Sequence, residues 1–499
     1  MRLFVVLLAL VVCFPVYSQD EYPEQMALVM VWDGLRPDLV TPETTPTLWE
    51  FAESGMVFDN HHSVFPTVTR VNSAAVATGC YPGTNGILGN SIYAPEVYED
   101  RELDTGDAGE LKKYQKALGG SILTCPTLGD VLKDRNLRFA VASSGSTGSA
   151  FLLDANGAGV TVHYDYTNPE TIWDEVIRRC GKPGPEMAPN EFRNAFAVRA
   201  YLDYLLPVVK PHVTLMWISD PDHTQHDAGV GAPETLRAIR LVDALFRTIL
   251  DTLKARDLLE RTTIIVASDH GFSSYSGGKN AVKALFEPGV LDGNPAKNIV
   301  MTGGAIYVRN GDKETIAKIC KVLQSQPQVG VVFTSSDAED GNLLGGVPGT
   351  FSFDAVHWSH PGAGAILFSK AWSDQKGPFG YPGTSANEGT AGHGTSSPFD
   401  IHSVLIMSGP QIRTGSRSTV PTANVDIAPT VCRIVGIEPP DYMDGRVIRE
   451  AFEDGPHPFA VPYQTKVVRS SDGVFILRCS TVEQGGGKNS HYFDFAGRE

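Results

Sequence analysis

Six side chains of the kinds that hold divalent cations follow or flank apolar runs: Asp33, Asp222, His226, Asp269, His270 and His393. Asp33 follows Met26 to Trp32, Asp222 and His226 follow Val213 to Ile218, and Asp269 and His270 follow Thr262 to Ala267. His393 sits in Gly392-His393-Gly394. Imidazole nitrogen and carboxylate oxygen are zinc ligands, about four to an ion, so these groups with one hydroxyl can serve two zinc ions. The candidate hydroxyl is Thr69, in Phe65-Pro66-Thr67-Val68-Thr69-Arg70-Val71-Asn72; Thr67 is its rival. Asp222 and His226, four apart on a loop, can close on one ion, and adjacent Asp269 and His270 can serve the other if the backbone turns there. Two ions roughly 4 Å apart clamp the attacking and leaving oxygens of an in-line phosphoryl displacement. Contact with such an ion makes a nucleophile of a threonine hydroxyl that is otherwise a poor one at neutral pH.

The elements that must position these groups are legible as periodicity. Unbroken apolar runs suit strands of a mostly parallel sheet covered on both faces by helices, and open α/β sheets place ligands beyond the carboxyl ends of such strands. Residues 72–77 read as a helix opening just past Thr69, its free N–H groups turned to a bound anion. A helix is expected near Phe192 to Leu206. Leu236, Ile239, Val242, Phe246, Ile249 and Leu253 recur at three- and four-residue steps, an amphipathic helix with Pro233 in its first turn. The core spans 24–271, with a polar loop inserted at 91–120 that carries Lys112, Lys113 and Lys116, and resumes over 391–455. Between its parts, 272–390 reads as a small inserted α+β cap, and 456–499 as a β-rich appendage. His61 and His62 read as loop residues; His223, Asp227, His357 and His360 read as structural or rim positions.

The 499 residues are 42% hydrophobic and 20% charged, and 50 glycines and 33 prolines signal many turns; this is ordinary globular composition. A formal charge of −16 disfavours nucleic-acid polymers, which need basic patches, but not a small anion at a metal. Met1-Arg2 and the apolar run to Val12 resemble a secretory signal with cleavage near Ser18, over residues 1–18. No later run approaches the ~18 apolar residues of a membrane span. A secreted or periplasmic protein is expected. Its six remaining cysteines have no C-x-x-C spacing, which argues against a zinc cluster of thiolates and leaves any disulfide pairing open, as is the oligomeric state.

Taken in order, Asp33-Gly34, Phe65-Pro66-Thr67-x-Thr69-x-x-Asn72, Thr78-Gly79-x-Tyr81-Pro82, Gly86-Ile87-x-x-Asn90, Asp222-x-x-x-His226, Asp269-His270-Gly271 and Gly392-His393-Gly394 resemble the type I phosphodiesterases, the nucleotide pyrophosphatase/phosphodiesterase branch of the alkaline phosphatase superfamily. The resemblance spans about 26–440. It implies an alkaline-phosphatase-like fold and a two-zinc hydrolase of phosphodiester or pyrophosphate bonds in small substrates. Asp222, His226 and His393 would bind one zinc; Asp33, Asp269 and His270 the other, with Thr69 facing it as the nucleophile that becomes phosphothreonine. Asn90 would donate to a non-bridging phosphoryl oxygen. The chain departs from the common pattern where Arg70 and Val71 replace Phe and Pro, Asn85 replaces His, and Asp220 replaces Glu, so nucleotide preference stays open. Two alternatives stand beside this reading: a phosphonate hydrolase or phosphomonoesterase on the same metals, with the lysines at 112, 113 and 116 as carboxylate partners, and a non-catalytic binding protein. A sulfatase is disfavoured, because Cys125-Pro126-Thr127 does not match that chemistry's nucleophile motif.

Overall fold

The computed structural model describes residues 21–278, 281–287, 290–291, 298–336, 343–484 and 489–499. The stretch that reads as an export signal lies outside them. Nine strands form the main sheet: β1 (Met26–Trp32), β2 (Met56–Phe58), β3 (Phe139–Ser143), β4 (Val160–His163), β5 (Thr167–Asn168), β6 (Val213–Ile218), β7 (Thr262–Ala267), β8 (Leu405–Ser408) and β9 (Ser416–Ser418). Their order is β9-β2-β8-β7-β1-β6-β3-β4-β5. Pairing is parallel from β7 through β1, β6 and β3 to β4, and again between β2 and β9. It is antiparallel where β8 enters between β7 and β2, and at β5.

Every residue of β1, β6 and β7 is buried, which is why these segments read as unbroken apolar runs. Alternate side chains serve opposite layers. Leu28, Met30 and Trp32 pack with Ile239, Val242, Phe246 and Ile249, while Val29 and Val31 pack with Val76, Ile427 and Val431 on the other face. Each such burial contributes about 1.5–3 kcal/mol, so both helical layers are held strongly. Register then fixes the site. Val31 stands opposite both Ala267 and Trp217, so β1, β6 and β7 end side by side and the segments that follow emerge at one edge.

Three helices matter for the site: α1 (Thr69–Thr78), α2 (Asp222–Ala228) and the amphipathic α3 (Pro233–Ala255). Beyond the main sheet, Ile299–Met301, Ala305–Val308, Val329–Thr334, Phe351–Ser352 and Ile366–Lys370 form a five-stranded sheet. Helix Lys313–Ser325 packs on it through Ile319 and Leu323. A three-stranded antiparallel sheet closes the chain over Tyr463–Arg469, Phe475–Glu483 and Asn489–Arg498. Phe65 joins these units near the site, with its ring 5.7 Å from Phe333 and 5.2 Å from Phe493.

Four local expectations are corrected. Asp222 and His226 lie on a helix, not a loop; that seven-residue helix has no apolar stripe to betray it. The helix after the nucleophile segment begins at Thr69 itself rather than at Asn72. Residues 91–120 are not a featureless loop. They hold a short hairpin, Ser91–Ile92 with Leu103–Asp104, and helix Ala108–Leu118, whose first N–H groups are capped by Asp107. His61 and His62 form a buried two-residue strand instead of a loop.

Candidate metal centre and active site

Each ligand candidate is placed by backbone at the common sheet edge. Asp33 N–H donates to the Ile218 carbonyl (2.9 Å), and Asp222 N–H donates to the Asp33 carbonyl (2.9 Å), which ties the end of β1 to the first turn of α2. Gly34 is needed between them. Its φ is +71°, and a Cβ there would lie 3.0 Å from the Asp222 Cβ and 3.2 Å from the Phe272 ring; only glycine accepts both conditions without strain. Gly34 N–H also donates to Asp269 Oδ1 at 3.0 Å.

Three carboxylates and three imidazoles converge there. His270 Nε2 is 3.2 Å from Asp269 Oδ2, 3.4 Å from Asp33 Oδ1 and 4.0 Å from Asp222 Oδ1. Asp222 Oδ1 is also 3.2 Å from His393 Nε2 and 3.4 Å from His226 Nε2. Thus Asp222, His270 and His393 hold ligand atoms within 4.8 Å of one another, and so do Asp33, Asp269 and His270. All six candidates meet, with His270 at the centre.

The hydrogen bonds around this cluster point its lone pairs inward. His270, His393 and His226 each turn Nδ1 to a backbone carbonyl, of Gly271 (2.9 Å), Thr67 (2.8 Å) and Ala391 (3.3 Å). A carbonyl can only accept, so Nδ1 carries the proton and Nε2 is left as a ligand atom, the usual support of a metal-binding histidine. Trp217 Nε1–H donates to Asp33 Oδ2 at 2.9 Å. The opposite oxygens, Asp33 Oδ1, Asp269 Oδ2 and Asp222 Oδ1, are buried without a hydrogen-bond donor. Acceptors facing acceptors at these distances repel unless a proton or cation lies between them.

The acidities express the same crowding. Burial, with the charges of Asp269 and Asp222, pushes the Asp33 carboxyl well above the usual range. Burial brings Asp269 up to about 7. Burial also raises Asp222, but His226 and His393 outweigh it and hold that carboxyl low. Burial, then the neighbouring His393, drives His270 well below an ordinary imidazole. Three carboxylates in one enclosed space cannot all be ionised on their own; a bound cation reverses that balance. The donor set of nitrogen and oxygen fits zinc.

Thr69 is the first residue of α1, and its Oγ1 is 3.4 Å from His270 Nε2. The positive end of the helix dipole is therefore at the hydroxyl. Thr67 points elsewhere: its hydroxyl donates to the Thr395 carbonyl (2.9 Å) and accepts from Gly394 N–H (3.1 Å). Asn90 Oδ1 accepts the Arg70 N–H at 3.1 Å, an orientation that turns Nδ2 out as a donor. Asn72 braces the turn before Thr69 by bonds to both backbone groups of Val64. Asn424 ties the two halves of the site together: its Nδ2 donates to Asn72 Oδ1 (3.0 Å) and to the Asp269 carbonyl (2.8 Å).

A cavity of about 140 Å³ adjoins the cluster, where Asn90 and His393 face Thr302, Gly303, Lys370 and Asn387. Burial lowers the Lys370 ammonium, opposed by Glu388. Lys112, Lys113 and Lys116 do not line it. Lys113 is engaged with Glu110 (2.7 Å), and Lys112 stands over the Tyr166 ring beside a different cavity. Nothing in the sequence marks Lys370; a lysine at the end of a strand carries no motif, and only the packing of the five-stranded sheet brings it here. Asn85 and Asp220 turn inward: Asn85 bonds Cys80 and Ile87 backbone, and Asp220 accepts from Asn190, Asn194 and Thr224.

A sequence model of the family described as type I phosphodiesterase / nucleotide pyrophosphatase matches residues 27–344. The chain belongs to this family. Among curated members, it is 22% identical over 284 residues to ectonucleotide pyrophosphatase/phosphodiesterase family member 1 of Rattus norvegicus, covering 54% of this chain and 27% of that one. It is 25% identical over 247 residues to venom phosphodiesterase CdcPDE of Crotalus durissus collilineatus, covering 49% of this chain and 24% of that one. The match thus spans about a quarter of those members' length. In fold, murine ectonucleotide pyrophosphatase/phosphodiesterase 5 superposes with a TM-score of 0.60 at 15% identity, over 86% of this chain and all of that one. The fold is accordingly the α/β architecture of the family, alkaline-phosphatase-like, with a large, mostly parallel central sheet flanked by helices. Among the described residues no helix is long and apolar enough to cross a membrane.

Proposed function

We propose that this chain is an exported two-zinc hydrolase that cleaves phosphodiester or pyrophosphate bonds of small substrates through a phosphothreonine at Thr69. One observation carries the reading. Three buried carboxylate oxygens without donors face imidazole Nε2 atoms at 3.2 to 4.0 Å, beside a helix-start hydroxyl. Family membership supports it, and the apolar run from Leu3 to Val12 supports export.

Asp222, His226 and His393 would hold one ion, and Asp33, Asp269 and His270 the second. Zinc bound there would supply Lewis-acid stabilisation of phosphoryl oxygens and lower the pKa of the nearby hydroxyl. The chain's own groups do the rest. Thr69 Oγ1, fixed by the start of α1, gives up its proton to solvent water and attacks phosphorus as the bond to the leaving oxygen breaks, and the departing alkoxide or phosphate takes up a proton from water. Asn90 Nδ2 donates to a non-bridging oxygen, whose charge rises in the transition state. Asn72 and Asn424 hold nucleophile and ligand loop in mutual register, and water finally cleaves the phosphothreonine. Lys370 offers a cation to a second anionic group in the adjoining cavity.

The test is Thr69→Ala assayed beside the wild type on para-nitrophenyl thymidine monophosphate, with zinc content measured on both samples. Loss of turnover with zinc content retained is expected. Turnover at the wild-type rate refutes the nucleophile, and turnover by a chelated, metal-free sample refutes the metals.

A further inference from the structure

We propose that Arg70 is a receptor for a third non-bridging phosphoryl oxygen, so that this site hydrolyses phosphomonoesters as well as diesters. The inference rests on the reading above and specifies its substrate class.

Arg70 directly follows Thr69, and its N–H is the group that orients Asn90. Its side chain runs back against the turn at 104–106, where a Cβ on Gly106 would lie 2.9 Å from Nη2 and 3.2 Å from Cζ. That turn is pinned in place. Gly106 N–H donates to Asp104 Oδ1, and the Gly106 carbonyl accepts from Gly148 N–H at 2.8 Å. The guanidinium therefore has a fixed wall behind it.

What it lacks is a partner. Its Nε is buried and unbonded, and among the described residues the guanidinium makes no hydrogen bond and no ion pair. Arg193, Arg413 and Arg433 also carry a buried, unbonded Nε, but each is held through another guanidinium nitrogen, by Glu186, the Gly455 carbonyl and Asp454. Arg446 is held by both oxygens of Glu450, and Arg36 by Asp38 and two backbone carbonyls. Arg70 is partly buried, and a buried Nε–H without an acceptor is costly, so the arrangement fits an anion that arrives from outside.

The carboxylates whose charge reaches Arg70 are Asp104, Asp33, Asp222 and Asp269. Three of these are ligand candidates. Once cations offset them, only Asp104 is left to balance Arg70, and the need for an incoming anion grows. A diester phosphoryl has two non-bridging oxygens, which the cations and Asn90 Nδ2 can serve. A monoester has a third and a second negative charge, and the planar guanidinium of the residue that follows the nucleophile is suited to it.

The experiment compares kcat/KM for para-nitrophenyl phosphate and bis(para-nitrophenyl) phosphate in zinc-loaded wild type, Arg70→Ala and Arg70→Lys. The monoester-to-diester ratio is the readout, because it does not depend on the fraction of molecules folded. Wild type is expected to cleave both. In Arg70→Ala the ratio should fall by about 10- to 100-fold, the range for losing charge-assisted bonds, and added guanidinium ion should partly restore the monoester rate. Arg70→Lys should recover only part of the ratio. Independently of turnover, inorganic phosphate should bind zinc-loaded Thr69→Ala by calorimetry, and about tenfold or more weaker once Arg70→Ala is added. A ratio within about threefold of wild type, or phosphate affinity that ignores Arg70, overturns the inference while leaving diester hydrolysis standing. Absence of all turnover with phosphate affinity that still follows Arg70 sinks the hydrolase reading and keeps the anion receptor.

Discussion

Replacing Trp217 by phenylalanine probes the metal centre from a residue that is not itself a ligand candidate. The indole Nε1–H donates to Asp33 Oδ2 at 2.9 Å, while Asp33 Oδ1 faces His270 Nε2 at 3.4 Å. The indole thus fixes which carboxylate oxygen is turned to the cation. Its loss removes one bond to a charged acceptor, about 1.5–3 kcal/mol, and frees the carboxylate to rotate. Outer-shell partners of metal ligands typically change affinity by about 10- to 100-fold, or about 1.4–2.7 kcal/mol, so the two routes agree. Trp217 is also fully buried, and the smaller ring costs the metal-free fold stability as well, roughly 1–3 kcal/mol. The two effects separate in the measurement. Zinc affinity is read by competition with a chromophoric chelator, and metal-free stability by denaturant unfolding. The expected result is weaker zinc binding in addition to the general destabilisation. Unaltered zinc affinity in a chain destabilised to the expected extent would mean that Asp33 does not hold a cation, and the derivation of the site from its inward-facing oxygens would fail.

Asn424→Ala should lower stability by roughly 2–4 kcal/mol, because it strips donors from Asn72 and the Asp269 carbonyl at once; it should also depress kcat more than zinc content, and a fully active variant would show that the bridge is dispensable. Lys370→Ala should raise KM about 3- to 10-fold for substrates bearing a second anionic group, with less effect on those without one; equal effects on both would remove it from substrate binding. Acid should destabilise the fold. Burial pushes His61 down to about 3, and His163, His357 and His402 to about 4. The folded values lie below the unfolded one, so stability is complete above about 6.5 and is lost as pH falls towards 4, at roughly 1.4 kcal/mol per pH unit for each imidazole. Asp154, raised to about 6 by burial, works the other way over part of that range. Unfolding midpoints in urea at pH 7, 6 and 5 measure this, and a flat profile would contradict the burial of these rings.

Much of this molecule is written locally. Strands buried on both faces must be apolar at every position, so β1, β6 and β7 announce themselves, and each acidic or imidazole group that follows one is marked as lying at a sheet edge. The three- and four-residue recurrence from Leu236 to Leu253 likewise marks α3. Local signals fail where an element is short or polar. Helix α2 presents Asp222 and His226 on successive turns without an apolar stripe, and the His61–His62 strand is buried for its hydrogen bonds to Thr422, Asn424 and Asp494 rather than for its hydrophobicity.

What the sequence by itself determined was the inventory: which chemical groups are present, in what order, and at the ends of which strands. Spacing to Asn72 and Asn90 already favours Thr69 over Thr67; tertiary structure alone decided that Lys370 rather than the lysines at 112 to 116 reaches the cavity, and that the Nε of Arg70 is buried without a partner. The physical reason is that these outcomes depend on contacts between segments far apart in the chain, as between Thr67 and Thr395, set by strand register and by the packing of one sheet on another. No local pattern of residue types encodes them.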